Sequence, residues 1–135
     1  MRWVEVNNSK PGLDGFCVST AFVLRRYRDV FPLLKLTQEI TEQMDQTPGI
    51  IRYALSARFF TRKFRTLSVW QDKPSMQLFI SSVLHAKAIK QFERWGASIA
   101  FAEWPSKNMM PDWREADRRL QDPDSACNLS QNRTV

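Results

Sequence analysis

Apolar positions repeat with a period of two in four stretches of the chain and with helical spacing in the stretches between them, and their order predicts the fold. In residues 16–24, Phe16, Val18, Thr20, Phe22 and Leu24 share one parity, and the positions between them are small or apolar. So many β-branched and aromatic side chains predict a strand buried over most of its surface. Arg25, Arg26 and Arg28 mark its exit into solvent. Leu33, Leu36, Ile40 and Met44 then recur at three- and four-residue steps, which places them on one face of a helix over 30–46. Pro32 is tolerated in its first turn, where the missing N–H has no intrahelical acceptor. Thr47-Pro48-Gly49 stops the helix, because proline biases the residue before it away from helical geometry and glycine permits a turn.

Two strands follow, over 50–60 and 63–71. In the second, Phe64, Thr66, Ser68 and Trp70 share one face and Arg65, Leu67 and Val69 the other; in the first, Ile51, Tyr53, Leu55, Ala57 and Phe59 oppose Arg52, Ala54, Ser56 and Arg58. A hairpin closed around Thr61-Arg62 would set Tyr53 beside Trp70 and Ala57 beside Thr66. Thr-Arg is a poor two-residue turn, so a longer loop or a bulge is expected. Residues 75–95 carry two apolar stripes: Met76, Phe79, Ile80 and Val83, then His85, Ala88, Ile89 and Phe92. On one straight helix these stripes point in nearly opposite directions, so a break near 81–84 is predicted, with two short helices both facing the sheet. Gly96 closes the second, and residues 97–104 read as a fourth strand ended by Pro105.

The order β-α-β-β-α-β is the split βαβ arrangement: a ferredoxin-like α+β fold with an antiparallel sheet. The chain divides into an N-terminal loop (1–14), the ferredoxin-like domain (15–105), a C-terminal arm with a short amphipathic helix around Trp113, Ala116 and Leu120 (106–120), and a polar tail expected to be disordered (121–135). Leu67, Val69 and Ala54 lie on the sheet face that the two helices leave open. Burying them calls for a second sheet, so a homodimer is expected, with the arm able to reach across it.

Composition narrows the function. At 135 residues, 43% hydrophobic and 25% charged, the chain reads as one globular domain. No run approaches the roughly 18 apolar residues needed to span a bilayer, and no apolar stretch follows Arg2 as in a signal peptide. A cytoplasmic location without a membrane partner is expected. Cys17 and Cys127 are far apart and form no metal or redox motif; Cys17 reads as a small buried hydrophobe. With a single histidine and no clustered carboxylates, no metal site is expected. The net charge of +6 raises the question of nucleic acid, but the basic residues form neither a helix stripe nor an aromatic-interleaved motif, and nucleic acid is not expected.

Thr47-Pro48-Gly49-Ile50, Phe64-Arg65-Thr66-Leu67-Ser68-Val69-Trp70, Met76, Phe79 and His85-Ala86 together resemble the antibiotic biosynthesis monooxygenase-like superfamily of dimeric α+β barrels, over roughly residues 16–104. Within it, the pattern is most similar to an uncharacterised bacterial branch. The resemblance implies an aromatic pocket in which the carbanion of a phenolic substrate reacts directly with dioxygen, with no cofactor. Trp70 matches the family's strand tryptophan. Thr66 stands where the family carries an asparagine, four residues earlier, and departs from that oxygen chemistry. The haem-degrading relatives use an asparagine on the first strand, which residues 16–24 lack, so haem ranks below the cofactor-free reading; His85 would be its axial ligand.

The residues themselves outline a candidate site. Ala57, Thr66 and Ser68 are small or polar in the middle of the helix-facing side, with Tyr53, Phe64 and Trp70 around them, which leaves room for a small aromatic or apolar ligand. His85, on the sheet-facing stripe of the second helix, could meet Trp70 there as acid, base or ligand. A lone histidine on an apolar face is more often a core residue with one satisfied hydrogen bond, and Trp70 is a natural core filler. A monooxygenase-like enzyme using His85 and Trp70 and a non-catalytic binding module therefore both stand. Arg25, Arg26, Arg58, Arg62, Lys63 and Arg65 should gather at one end of the sheet, either as a solvated edge that resists aggregation or, less favoured, as a docking surface for an anion.

Overall fold

The structure, a computed structural model, describes residues 2–6, 15–82, 87, 90–91, 93–106, 111–122 and 126–127. Its strands are β1 (Trp3–Glu5), β2 (Phe16–Leu24), β3 (Ile50–Arg58), β4 (Lys63–Trp70), β5 (Gly96–Pro105) and β6 (Ala126–Cys127), and its numbered helices are α1 (Val30–Asp45), α2 (Lys73–Ile80) and α3 (Trp113–Gln121). A 3-10 turn, Tyr27–Asp29, leads into α1. The strands form one sheet in the order β1-β3-β4-β2-β5-β6, antiparallel throughout. The central β3-β4-β2-β5 is the ferredoxin-like order that the sequence predicts. Among the described residues, no helix is long and apolar enough to cross a membrane.

β2 spans the predicted residues and lies between β4 and β5, and its apolar positions of both parities enter the cores on the two sheet faces. α1 buries Leu33, Leu36 and Met44 from the predicted stripe. α2 starts at Asp72, whose side chain accepts from the Ser75 backbone N–H at 2.9 Å, with Pro74 in the first turn. It stops at Ser81, where the conflict between the two stripes places the break. Helical backbone returns at 87, 90–91 and 93–95. His85, Ala88, Ile89 and Phe92, the second stripe, lie outside the described residues.

Four expectations need correction. Within the segment read as an N-terminal loop, Trp3–Glu5 adds a strand to the edge of β3, with Trp3 opposite Ala54. Within the segment read as a disordered tail, Ala126–Cys127 pairs with Phe101 and Ala102 on β5, and Gln121 still belongs to α3. Both pieces are too short for a periodicity to register, and both close an otherwise open sheet edge. Third, the β3–β4 hairpin closes through Phe59-Phe60-Thr61-Arg62, with Arg62 at φ 56, so Tyr53 pairs with Ser68 and Ala57 with Phe64. The slip from the two-residue register is even, so it leaves every side chain on its face. Fourth, a register shift between Ile50 and Arg52 moves Ile51 off the Tyr53 face and into the core on the opposite side.

The sheet has two covered faces. On the inner face, under α1 and α2, Phe16, Val18, Ile50, Tyr53, Trp70 and Phe101 pack with Met44, Met76 and Phe79. On the outer face, Cys17, Ile51, Leu67, Val69, Ala102 and Trp104 pack against Ala116, Trp113 and Leu120 of α3. Leu67, Val69 and Ala54, the residues whose burial called for a second sheet, are fully buried within this one chain. α3 supplies that cover because its apolar side matches the predicted spacing, while Asp112 caps its first turn by accepting from the Glu115 N–H at 2.8 Å.

Candidate functional site

The pairing of β3, β4, β2 and β5 lays the inner-face residues out in rows. Tyr53, Ser68, Val18 and Glu103 form one, and Leu55, Thr66, Thr20 and Phe101 the next; Ala57, Phe64 and Phe22 follow towards the hairpin. The apolar core splits across these rows. Trp70, Phe16 and Met76 belong to the cluster at one end; Phe22, Leu24 and Leu33, with Phe64 and Trp95 against them, form another towards the hairpin end. Between them lies the Leu55–Thr66–Thr20 row, where Leu55 is 43% exposed and both threonines are partly exposed. Thr20 and Thr66 hydrogen-bond to each other through their hydroxyls. This partly exposed strip between the two apolar clusters is the notch, and its β5 end is the buried Phe101.

The predicted pocket residues divide around this notch. Thr66 is in it, and Ser68 and Tyr53 form the next row, both buried. Trp70 is 1% exposed, donates its indole N–H to Ser68 Oγ at 2.9 Å and packs on Phe79 with ring centroids 5.4 Å apart. Ala57 is exposed and Phe64 half-buried, its ring edge-on to Phe59 at 5.9 Å. His85 lies outside the described residues, so the Trp70–His85 pair has no geometry here.

Tyr53 Oη donates to Asp45 Oδ1 at 3.0 Å. Burial, reinforced by that carboxylate, pushes the Tyr53 hydroxyl up to about 12, so the ring stays neutral and donating at ordinary pH. Burial likewise pushes the Cys17 thiol to about 12, which makes it the inert core residue its strand position suggests. Lys73 Nζ stands 3.7 Å from Glu103 at the edge of the inner face and 5.6 Å from the Phe16 ring centroid. Asp45, Lys73, Glu103 and Thr20 escape a reading restricted to the hairpin. The alternation of Phe101 and Glu103, and of Val18 and Thr20, was the signal available for two of them. Among the described residues, no group of three His, Cys, Asp or Glu side chains is placed to hold a metal.

Of the basic residues, the end of the sheet gathers Arg25, Arg26, Arg58, Arg62 and Lys63. Arg58 pairs with Lys63 across the hairpin, and Arg62 Nε donates to the Leu24 carbonyl at 3.0 Å. Arg25, Arg26, Asp29, Arg94 and Trp95 line a cavity of about 80 Å³. Arg65 does not join them. It points to the outer face, is 8% exposed, and pairs with Asp117.

No family model matches the chain, and no curated protein does. Solved structures do. A conserved protein of Methanosarcina mazei Go1 superposes with a TM-score of 0.63 at 14% identity, covering 70% of this chain and 95% of the other. SnoaB, a cofactor-independent oxygenase from Streptomyces nogalater, gives 0.59 at 10% identity over 73% and 99%, and an antibiotic biosynthesis monooxygenase gives 0.59 at 13% over 71% and 99%. The fold is that of the antibiotic biosynthesis monooxygenases. At such identities the likeness shows the fold alone, and the chemistry is argued from this chain's own residues. In this version of the antibiotic biosynthesis monooxygenase fold, Trp70 is a wall of the core whose one donor is already used, and the inner-face strand hydroxyls of Thr20 and Thr66 are partly exposed.

Proposed function

We propose that the chain binds a small aromatic or apolar molecule in the notch over Leu55, Thr66 and Thr20 and oxidises it as a cofactor-independent, monooxygenase-like enzyme. One observation carries the binding half: a partly exposed pair of hydrogen-bonded threonines lies between two apolar clusters on the helix-facing side. Few polar groups set between apolar walls are the usual make-up of a small-ligand site. The oxygenase half is supported by the fold shared with SnoaB. In such a reaction a CH₂ activated by phenolic rings loses a proton, dioxygen adds to the carbanion, and loss of water leaves a carbonyl. The substrate itself supplies the electrons, so R₂CH₂ and O₂ give R₂CO and H₂O. Thr66 and Thr20 would hydrogen-bond the phenol, Tyr53 would wall the ring, and His85 would move the proton.

The non-catalytic binding module is favoured by a different observation. The Trp70 N–H is held by Ser68 and the Tyr53 hydroxyl by Asp45, so these two inner-face donors face protein partners. An oxygen electrode separates the readings. With an anthrone as substrate, uptake of one O₂ per ketone formed, lowered in His85→Ala, supports the enzyme. Saturable quenching of tryptophan fluorescence by 1-naphthol without oxygen uptake supports the module. Thr66→Phe, which fills the notch, should abolish binding in either case, and unchanged binding there rejects the site. A Soret band on adding haem, lost in His85→Ala, would replace both. The same reading carries the homodimer implied by the resemblance, and a monomer in sedimentation at micromolar concentration removes that part.

A further inference from the structure

The end of the sheet that collects the basic residues also collects the exposed aromatics. Among the described residues the exposed aromatic side chains are Tyr27, Phe31, Phe59 and Phe60, at 57%, 81%, 52% and 94%. All four sit where β2 runs into α1 and where β3 turns into β4. The Tyr27 hydroxyl donates to the Phe60 carbonyl at 2.8 Å, and the Arg62 guanidinium lies 4.5 Å from the Tyr27 ring centroid, so the two segments form one surface. Arg25, Arg26, Arg28, Arg58 and Arg94 are exposed around them, with Asp29 in their midst. A charged edge kept only for solubility has no use for two adjacent phenylalanines at its tip.

We propose that this end docks on an anionic lipid bilayer, with Phe60 and Phe31 entering the interface and the arginines around them meeting the headgroup phosphates. The hairpin tip Arg58-Phe59-Phe60-Thr61-Arg62-Lys63 sets apolar rings outermost and cations behind them, the order of layers that a bilayer surface presents in reverse. Phenylalanine has no group for reading a base edge. The Phe59 ring, engaged edge-on with Phe64, does not continue a flat stacking platform of the kind single-stranded nucleic acid uses. No spanning segment is needed for such a contact, so it stands apart from the expectation of no membrane partner, which rested on spanning. It goes beyond the notch chemistry and does not depend on it.

Co-sedimentation of the full chain with vesicles tests it. Vesicles of phosphatidylcholine containing phosphatidylglycerol should pull the protein down, phosphatidylcholine alone should not, and added salt should weaken the binding. Phe60→Ala should lower partitioning roughly tenfold or more. Arg26→Ser and Arg28→Ser should each lower it about fivefold. Leu78→Ala, at a side chain 76% exposed on α2, should leave it unchanged. Equal binding to neutral vesicles, or an unaltered Phe60→Ala, overturns the proposal. So does Phe60-dependent binding of a single-stranded oligonucleotide that vesicles fail to displace, which would assign the patch to nucleic acid.

Discussion

Arg65 and Asp117 tie the C-terminal helix to the middle of the sheet: Arg65 Nη1 donates to Asp117 Oδ2 at 2.8 Å, and the guanidinium lies 4.7 Å from the Trp113 ring centroid. The two ends of the pair are unequal. Arg65 is almost wholly buried, while the Asp117 side chain is 44% exposed. Asp117→Ala should therefore leave a buried cation without its carboxylate and cost about 2–3 kcal/mol, whereas Arg65→Met, which keeps the apolar stem under Trp113, should cost less. Urea unfolding measures both. A larger loss for Arg65→Met would mean that the stacking on Trp113, and not the ion pair, holds α3.

Removing α3 altogether tests what it covers. A chain ending at Ser106 would uncover Ile51, Leu67, Val69, Ala102 and Trp104 and free the β5 edge that β6 occupies. An apolar face of that kind drives association. Sedimentation should show the shortened chain in a larger assembly than the full chain, with strong binding of a hydrophobic dye. An unchanged mass and no dye binding would show that α3 is dispensable cover.

Gly49 is a position where only glycine fits. Its φ is +96, and a Cβ there would run into Cβ and Oγ of Ser75 in the first turn of α2. Its carbonyl also accepts from the Gln71 N–H at 2.7 Å, which joins the start of β3 to the end of β4. Gly49→Ala should cost about 2–4 kcal/mol by combining backbone strain with a clash. In a Ser75→Gly background the steric part should return and the backbone part remain. Full recovery in the double variant would show that φ contributes nothing.

These positions also show what was legible in the sequence. The β2, β3, β4 and β5 strands and the break in the helical region follow from parity and stripe direction, because burial imposes those periods directly. The turn at Gly49 follows from its proline and glycine. Strand parity reports that Leu67 and Val69 are buried, not what buries them, so the cover that α3 gives within the chain was not legible; α3 was predicted as a helix, yet it meets the sheet through contacts as distant in sequence as Arg65–Asp117, 52 residues apart. Arg65 was grouped with the basic end by nearness in sequence, although its parity places it on the outer face. The notch was only half visible: Thr66 stands out among large neighbours, while its partner Thr20 is fixed by cross-strand register.

The Tyr53–Asp45 contact sets an expected alkaline limit on stability. The Tyr53 hydroxyl moves from an ordinary 10.0 to about 12 in the folded chain, by burial first and by the Asp45 carboxylate second. Between those values the unfolded chain has lost the phenolic proton and the folded chain keeps it. Stability is then complete below about pH 10 and falls as pH rises towards 12. Cys17, raised from 9.0 to about 12, acts in the same direction, so the measurement belongs in a Cys17→Ala background. There, urea midpoints should fall through this range, and Tyr53→Phe should flatten the fall while lowering stability at neutral pH by about 1–2 kcal/mol through loss of the hydrogen bond to a charged acceptor. The phenolate absorbance that disappears in Tyr53→Phe should emerge only near pH 12. If it emerges near pH 10, Tyr53 is solvated, and the inner face is open to water at the row beside the notch.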